Sequence, residues 1–397
     1  MKNLHILKGT IMDDFIEKID HTYSSYKENP RQIFKNDSDQ RKFVQNMQKN
    51  IKRLENHPPV VNHCCFPDCA QPPIKSHTIQ KSGFLDGIAE AGNLVTLRSN
   101  LFRIISDEKP YESVKVGASE ASTFYGFCEN HEKEFDFERK KSISTERDEI
   151  RQQFRTICRE INAKKKEIES YKKIKSLLDD QINSWAKGPM SPYLSMFPNM
   201  KLSIPEAHDE NDNKVKELEE YLKYIDNNFY TPFYDSIESG IHPMSCVVAE
   251  MKVAIPINLS GISKIRYYTT QGVPMYNYIA LSIISGGKKT LFIASSNRAD
   301  AIRSYITYLE KPMGILNAIE SWMIYGSTHW FIKPSVWDNF PSKKKNRILR
   351  DITKKNMYVN DELEYSIFDS YRREILSYNS TENQQMLKKE YDKLDYF

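Results

Sequence analysis

The sequence predicts an α+β protein, mostly helical, and three observations carry that expectation. Apolar residues recur in alternating steps of four and three between Ile150 and Trp185, the mark of a helix with a packing seam. Beyond Pro243 the period becomes two, as strands require. Between His63 and His131, an irregular stretch holds four of the six cysteines and three of the nine histidines.

Composition bounds the rest. The chain has 397 residues, 39% of them hydrophobic and 12% aromatic, enough for a core in two or three folded units. Its 57 basic and 53 acidic residues leave a net charge of +4, so any basic surface must be local. No run reaches the ~18 apolar residues of a membrane span. Asp13 and Asp14 interrupt the start before a signal peptide could form, so a soluble cytoplasmic chain with reduced cysteines is expected. Dinucleotide and phosphate-binding glycine loops, the serine-hydrolase elbow and the H-E-x-x-H zinc motif are all missing. The nearest imitation, Gly286-Gly287-Lys288-Lys289-Thr290, lies between two strand-like runs and reads as a hairpin turn.

Four parts follow in order. Residues 1–58 read as helical, with Asp37 or Ser38 capping a helix that carries Phe43, Met47 and Ile51. Residues 59–140 hold the four cysteines and three histidines of the irregular stretch. Residues 141–240 carry the seam: Ile150, Phe154, Ile157, Ile161, Ile168, Tyr171, Leu178, Ile182 and Trp185 fill nine of its eleven positions. A second seam, Val215, Leu218, Leu222, Ile225 and Phe229, follows a breaker-rich stretch with Gly188-Pro189, Pro192, Pro198 and Pro205. Together they predict a long antiparallel coiled-coil hairpin, either a dimerisation or sensing arm or an intrachain spacer. Residues 241–397 read as an α+β domain, with strands at 247–255, 278–285 and 289–295 and helices near 298–310 and 314–325. The last ~20 residues are polar and expected to fray.

The cysteines and histidines form two short-range pairs. Cys64-x4-Cys69, or Cys65-x3-Cys69, makes the first, and Cys128-x2-His131 the second. Tetrahedral Zn²⁺ takes four such ligands at ~2.0–2.3 Å, and two pairs on separate turns supply them with little loop entropy. Spacing leaves Cys64 and Cys65 both open. Cys64 is favoured because the longer loop lets Pro67 occupy the knuckle turn. Cys158 and Cys246 read as packing residues.

Lys75-Ser76-His77-Thr78-Ile79 follows the first knuckle, Gly92-Asn93-Leu94 comes next, and Gly126-Phe127-Cys128-Glu129-Asn130-His131 closes the set. This order resembles the HNH, or His-Me finger, nucleases, in which a ββα unit sits within a treble-clef zinc fold. It also resembles bacterial proteins carrying a K-S-H motif followed by G-F-C-x-x-H, a type met in phage defence. The resemblance implies His77 as the general base, Asn93 as the amide orienting its strand, and Glu132 in place of the metal-binding histidine. It further implies structural zinc, a catalytic Mg²⁺ or Mn²⁺, and a nucleic-acid substrate, DNA foremost. It covers about 70–80 residues, with departures: longer front spacing, C-x2-H at the back, about 34 residues between Asn93 and Cys128, and glutamate for histidine. His77 could instead pack or supplement the zinc ligands.

Weaker signals complete the reading. Glu250-Met251-Lys252 resembles half of a PD-(D/E)xK nuclease motif, or is an exposed strand face. Lys343 to Arg350, near Trp337 and Phe340, could contact phosphate or be a solvated helix face. Glu320, His329, Trp322 and Trp330 read as core. The competing expectation for the whole chain is a non-enzymatic sensor or interaction protein with purely structural zinc. Its partner, or a second copy, would then dock through the coiled coil.

Overall fold

The computed structural model describes residues 63–99, 111–135, 142–187, 198–269, 271–354, 357–377 and 381–396, with backbone alone for 99, 173–187, 198–211 and 381–383. The expected N-terminal helix and the Gly188-Pro189 break lie outside the described residues. The fold is α+β, and helix outweighs strand among the described residues. Contacts divide the chain into two compact units, one containing Val61–Arg98, Glu112–Asn162 and Tyr224–Phe397, the other containing Ala163–Lys223.

The larger unit is built on a seven-stranded sheet. Its strands are β2 (Asn93–Ser99), β3 (Tyr111–Gly117), β5 (Ser245–Met251), β6 (Ile257–Tyr268), β7 (Pro274–Gly286), β8 (Lys289–Ser296) and β9 (Trp330–Ile332), in the order β3-β2-β9-β6-β7-β8-β5. A separate antiparallel pair joins β1 (Lys75–His77) to β4 (Thr123–Tyr125). Strand β9 pairs Ile332 with Val95 on one side and Ile257 on the other. One sheet therefore crosses from the cysteine–histidine stretch into the C-terminal part. The predicted hairpin forms around Gly287, whose φ of 63° suits a two-residue turn between Gly286 and Lys289.

The two faces of this sheet differ. Leu259, Leu281, Ile283, Phe292 and Ala294 point into the main apolar core with Tyr305, Leu316 and Trp322 from the helices that follow. On the opposite face Ser260, Ser282 and Ser295 are fully buried. That face receives the start of the helix Glu146–Lys187. Thr145 and Asp148 cap this helix reciprocally, each side chain accepting the other's amide at 3.2 Å. Gln153 Nε2 then donates to the Ile293 carbonyl at 2.7 Å, and Thr156 Oγ1 meets Ser282 Oγ at 2.9 Å.

The first seam positions of that helix pack locally. Ile150, Phe154 and Ile157 are fully buried, and Phe154 lies against Phe66, Phe127, Tyr230 and Tyr234. In the smaller unit Ile168 clusters with Val215 and Leu218, flanked by Tyr171 and Leu222. Lys172 Nζ lies 3.3 Å from Glu219 Oε1. The second helix begins at Pro198, earlier than the breakers suggested, and runs through Pro205 to Ile225. Proline fits a helix's first turn without losing a bond, whereas Pro205 removes one.

The C-terminal part corrects one further expectation. Residues 381–391 form a helix with Leu387 buried rather than a frayed tail. In the basic run Lys343 and Arg350 are exposed, Arg347 pairs with Asp395 and Glu364, and Lys344, almost fully buried, donates to the Ile367 carbonyl and Asp369 at 2.8 Å. Glu250 is exposed and paired with Lys289, as an ordinary strand face would be. No described helix is long and apolar enough to cross a membrane.

Candidate metal centre and the polar cluster beside it

The first knuckle folds as its residues dictate. The Cys64 amide bonds the Gln71 carbonyl at 3.0 Å, closing the loop, and the Cys69 amide reaches the Phe66 carbonyl at 3.4 Å. Between them Asp68 takes φ 59°, a left-handed position that Asp tolerates and that aims Cys69 back toward Cys64. Cys65 is fixed by its backbone: its amide donates to Gly126 at 2.7 Å and its carbonyl accepts the Tyr230 hydroxyl. Gly126 is required there because a Cβ would lie 2.3 Å from the Phe124 ring.

The second knuckle is a helix start. Cys128 is the N-cap of Glu129–Glu132, and its sulfur accepts the His131 amide at 3.5 Å. The ligand atoms of Cys64, Cys69, Cys128 and His131 all lie within 4.8 Å of one another. Measured edges are 3.3 Å from Cys64 Sγ to His131 Nδ1, 3.3 Å from Cys128 Sγ to His131 Nδ1, and 3.9 Å from Cys69 Sγ to Cys128 Sγ. A tetrahedral ion with three sulfurs and one nitrogen has edges of about 3.5–3.8 Å. The four residues therefore could hold a metal such as zinc, and the set includes Cys64 rather than Cys65.

Aromatic packing holds the site. The His131 ring stacks on Phe66, centroids 4.1 Å apart and nearly parallel, and Phe66 meets Phe127, Phe135, Phe154 and Tyr234 edge-on. Burial pushes the Cys64 thiol up to about 12. Cys128 is also penalised by burial, but the His131 and Asn130 amides on its sulfur bring it below the usual thiol value. Bonds from helix-terminal amides favour thiolate.

His77 closes strand β1, paired opposite Thr123 of β4. That pairing, not Asn93, orients its strand. Asn93 Nδ2 instead donates to the Ala91 carbonyl at 2.9 Å, inside the turn made by Ala91 (φ 47°) and Gly92 (φ 72°). Burial lowers the His77 pKa, opposed by a backbone bond at Ala118 and reinforced by the Arg155 charge. Its Nε2 is buried and has no hydrogen-bond partner.

Glu132 is held by Arg155, whose Nη2 pairs with Glu132 Oε1. Arg155 is 1% exposed, lies over the Phe135 ring at 4.4 Å, and is lowered by burial to about 9. Its Nε and Nη1 have no partner, and neither does Glu132 Oε2. His77 Nε2, on a ring that feels the Arg155 charge, is likewise buried without a partner. Each of these atoms would cost about 1–3 kcal/mol if nothing ever met it.

Sequence reasoning missed Arg155. It stands one residue after seam position Phe154, and no local spacing links it to Glu132. Glu320 and His329, close in sequence, do not meet in function. Glu320 pairs with Arg372 and accepts the Ile367 and Phe368 amides, while His329 Nδ1 bonds Ser260 Oγ at 2.9 Å. Comparison with known protein families, curated proteins and solved structures finds no match to this chain.

Proposed function

We propose that the chain is a zinc-stapled, HNH-like endonuclease acting on nucleic acid, DNA foremost, with a treble-clef arrangement around Cys64, Cys69, Cys128 and His131. The observation that carries this reading is the set of buried, unpartnered polar atoms on His77 and on the Arg155–Glu132 pair, with Glu132 next in sequence to the candidate ligand His131. Zinc, when bound, supplies rigidity: it fixes the helix that carries Glu132 and the knuckle ahead of the strand that carries His77. His77, neutral at pH 7, accepts the proton of the attacking water through Nε2. Arg155 offers Nε and Nη1 to the phosphate oxygens on which negative charge grows.

The Mg²⁺ or Mn²⁺ implied by the resemblance fits this donor set poorly. Glu132 offers one free oxygen, Oε2, and a buried guanidinium already occupies its other side. Glu132 is therefore assigned to positioning Arg155. The two helical segments of 141–240 would form the coiled-coil hairpin that senses or assembles, in a cytoplasmic defence protein.

One observation favours a second reading, a non-enzymatic interaction protein with structural metal: His77 Nε2 and Arg155 are buried, so substrate must displace their cover. Nicking of supercoiled plasmid by purified protein, with Mg²⁺, with Mn²⁺ and with chelator, separates the two. The endonuclease reading expects nicking that disappears in His77→Ala while metal content stays unchanged. A metal-loaded wild type that leaves plasmid intact in all three conditions overturns it.

A further inference from the structure

A π turn, Asp226–Tyr230, separates helix Pro198–Ile225 from Thr231–Ser239, and the Thr231 amide bonds the Asp226 carbonyl five residues back. The sequence around it explains the wider turn. Ile225, Phe229, Phe233 and Ile237 are all buried, at successive steps of four. In an α-helix each such step drifts by ~40°, and a π turn takes up part of that drift. Side chains then fix the turn in a closed circuit. The Tyr224 hydroxyl donates to Asn277 Oδ1 at 2.7 Å, and Asn277 Nδ2 donates to Asn297 Oδ1 at 2.8 Å. Asn297 Nδ2 donates to Asn228 Oδ1 at 2.6 Å, and Asn228 Nδ2 closes the circuit on the Tyr224 carbonyl at 2.9 Å. Asn277 lies on β7 and Asn297 follows β8, so the turn is tied to the sheet. Its last residue, Tyr230, reaches the first knuckle. The Tyr230 hydroxyl donates to the Cys65 carbonyl, and its ring lies against Phe154, 5.5 Å between centroids.

We propose that Tyr230 is a positioning residue for the metal centre, and that the asparagine-held π turn sets metal affinity through its hydroxyl. This rests on the reading of Cys64, Cys69, Cys128 and His131 as one metal site. The Cys65 backbone is the point of leverage. Its amide bonds Gly126, two residues before Cys128, and its carbonyl takes Tyr230, so one residue links both knuckles to the π turn. Cys64 comes immediately before it, and Phe66, immediately after, stacks on the His131 ring. A shift of this backbone therefore moves a sulfur ligand and the ring packed on the nitrogen ligand together. Held in place, it keeps both near the geometry of a tetrahedral ion, and less ordering is left for the ion to impose. The coupling is reciprocal. A bound ion fixes the Cys65 backbone and so steadies Tyr230 and the turn behind it.

The test is the zinc affinity of the full chain, measured by competition with a chromophoric chelator in wild type and variants. Tyr230→Phe removes only the hydroxyl and should weaken zinc about three- to tenfold, the range of one lost neutral hydrogen bond. Asn228→Ala opens the circuit without touching the knuckle and should weaken zinc in the same direction by a smaller factor. Because both act through one hydroxyl, the double variant should bind zinc no more weakly than Tyr230→Phe alone. Tyr234→Phe, which removes a hydroxyl from a neighbouring ring of the same aromatic group, should bind zinc as wild type does. Hydrogen exchange on peptides covering 224–231 should slow when zinc is added to wild type, and that slowing should shrink in Tyr230→Phe. Wild type that takes up no zinc overturns the metal site and this coupling together. Zinc-binding wild type with Tyr230→Phe within about twofold of it, losses that add in the double variant, an equal loss in Tyr234→Phe, or exchange unmoved by zinc overturns the coupling alone.

Discussion

Two buried arginine–carboxylate pairs lie in the larger unit, and they are finished differently. Arg372 gives Nη2 to Glu320, Nε to Ser366 Oγ at 3.1 Å and Nη1 to the Met313 sulfur at 3.5 Å, and the second oxygen of Glu320 takes two backbone amides. Arg155 gives Nη2 to Glu132 and leaves its other nitrogens, and the second carboxylate oxygen, unmatched. The two arginines are equally buried, each 1% exposed, while the Glu132 side chain is 23% exposed against 1% for Glu320. The Glu320 pair has the connectivity of a structural clamp. The Glu132 pair lacks those further bonds, and Glu132 shares its short helix with His131, one of the four candidate metal ligands.

The largest effect that sharpens this contrast comes from the metal ligands. Cys69→Ser or Cys128→Ser should abolish bound metal and melt the knuckles, because a structural zinc site contributes on the order of 10 kcal/mol in small modules. Metal analysis and thermal denaturation would show it. Next comes Arg372→Met, which strands the Glu320 charge and should cost about 3–5 kcal/mol in denaturant titrations. Arg155→Met should cost less, about 1–3 kcal/mol, because the Glu132 side chain keeps 23% of its surface exposed and two of the lost nitrogens were unmatched. It should also abolish plasmid nicking. Equal stability losses for the two arginine variants, with activity retained, would erase the contrast.

The smallest effect is on pH. Burial lowers the pKa of His77 and, further, of His329, so the folded protein binds their protons less readily than the unfolded chain does. The unfolded chain therefore gains protons first as pH falls through ~6.5, and stability declines toward acid. Above that value both residues are neutral in either state and contribute no slope. Melting curves of His77→Gln between pH 5 and 7.5 should show a shallower decline than wild type.

Much of this was legible from local pattern. Cys128-x2-His131 folds as a helix cap and Phe66-Pro67-Asp68 as a turn, both settled by neighbours in sequence. The hairpin at Gly287 and the helices at Ala299–Leu309 and Gly314–Ser321 were likewise local. Cys64, which the knuckle turn at Pro67 already favoured over Cys65, is the one whose sulfur joins the set, 3.3 Å from His131 Nδ1 across 67 residues. What stayed hidden depends on distant partners. Arg155 finds Glu132 across 23 residues, and β9 joins Val95 to Ile257 across far more. Ile150, Phe154 and Ile157 keep the seam's period while packing into the globular unit, because a period of 3.5 describes a buried helix face as readily as a coiled coil.

X-ray absorption at the zinc edge on purified protein bears most directly on the shared metal centre. One zinc per chain, bound by three sulfurs at ~2.3 Å and one nitrogen at ~2.0 Å, is the predicted result, with this shell lost in Cys64→Ser and unchanged in Cys65→Ser. Metal-free protein, or a shell unchanged by Cys64→Ser, would contradict it.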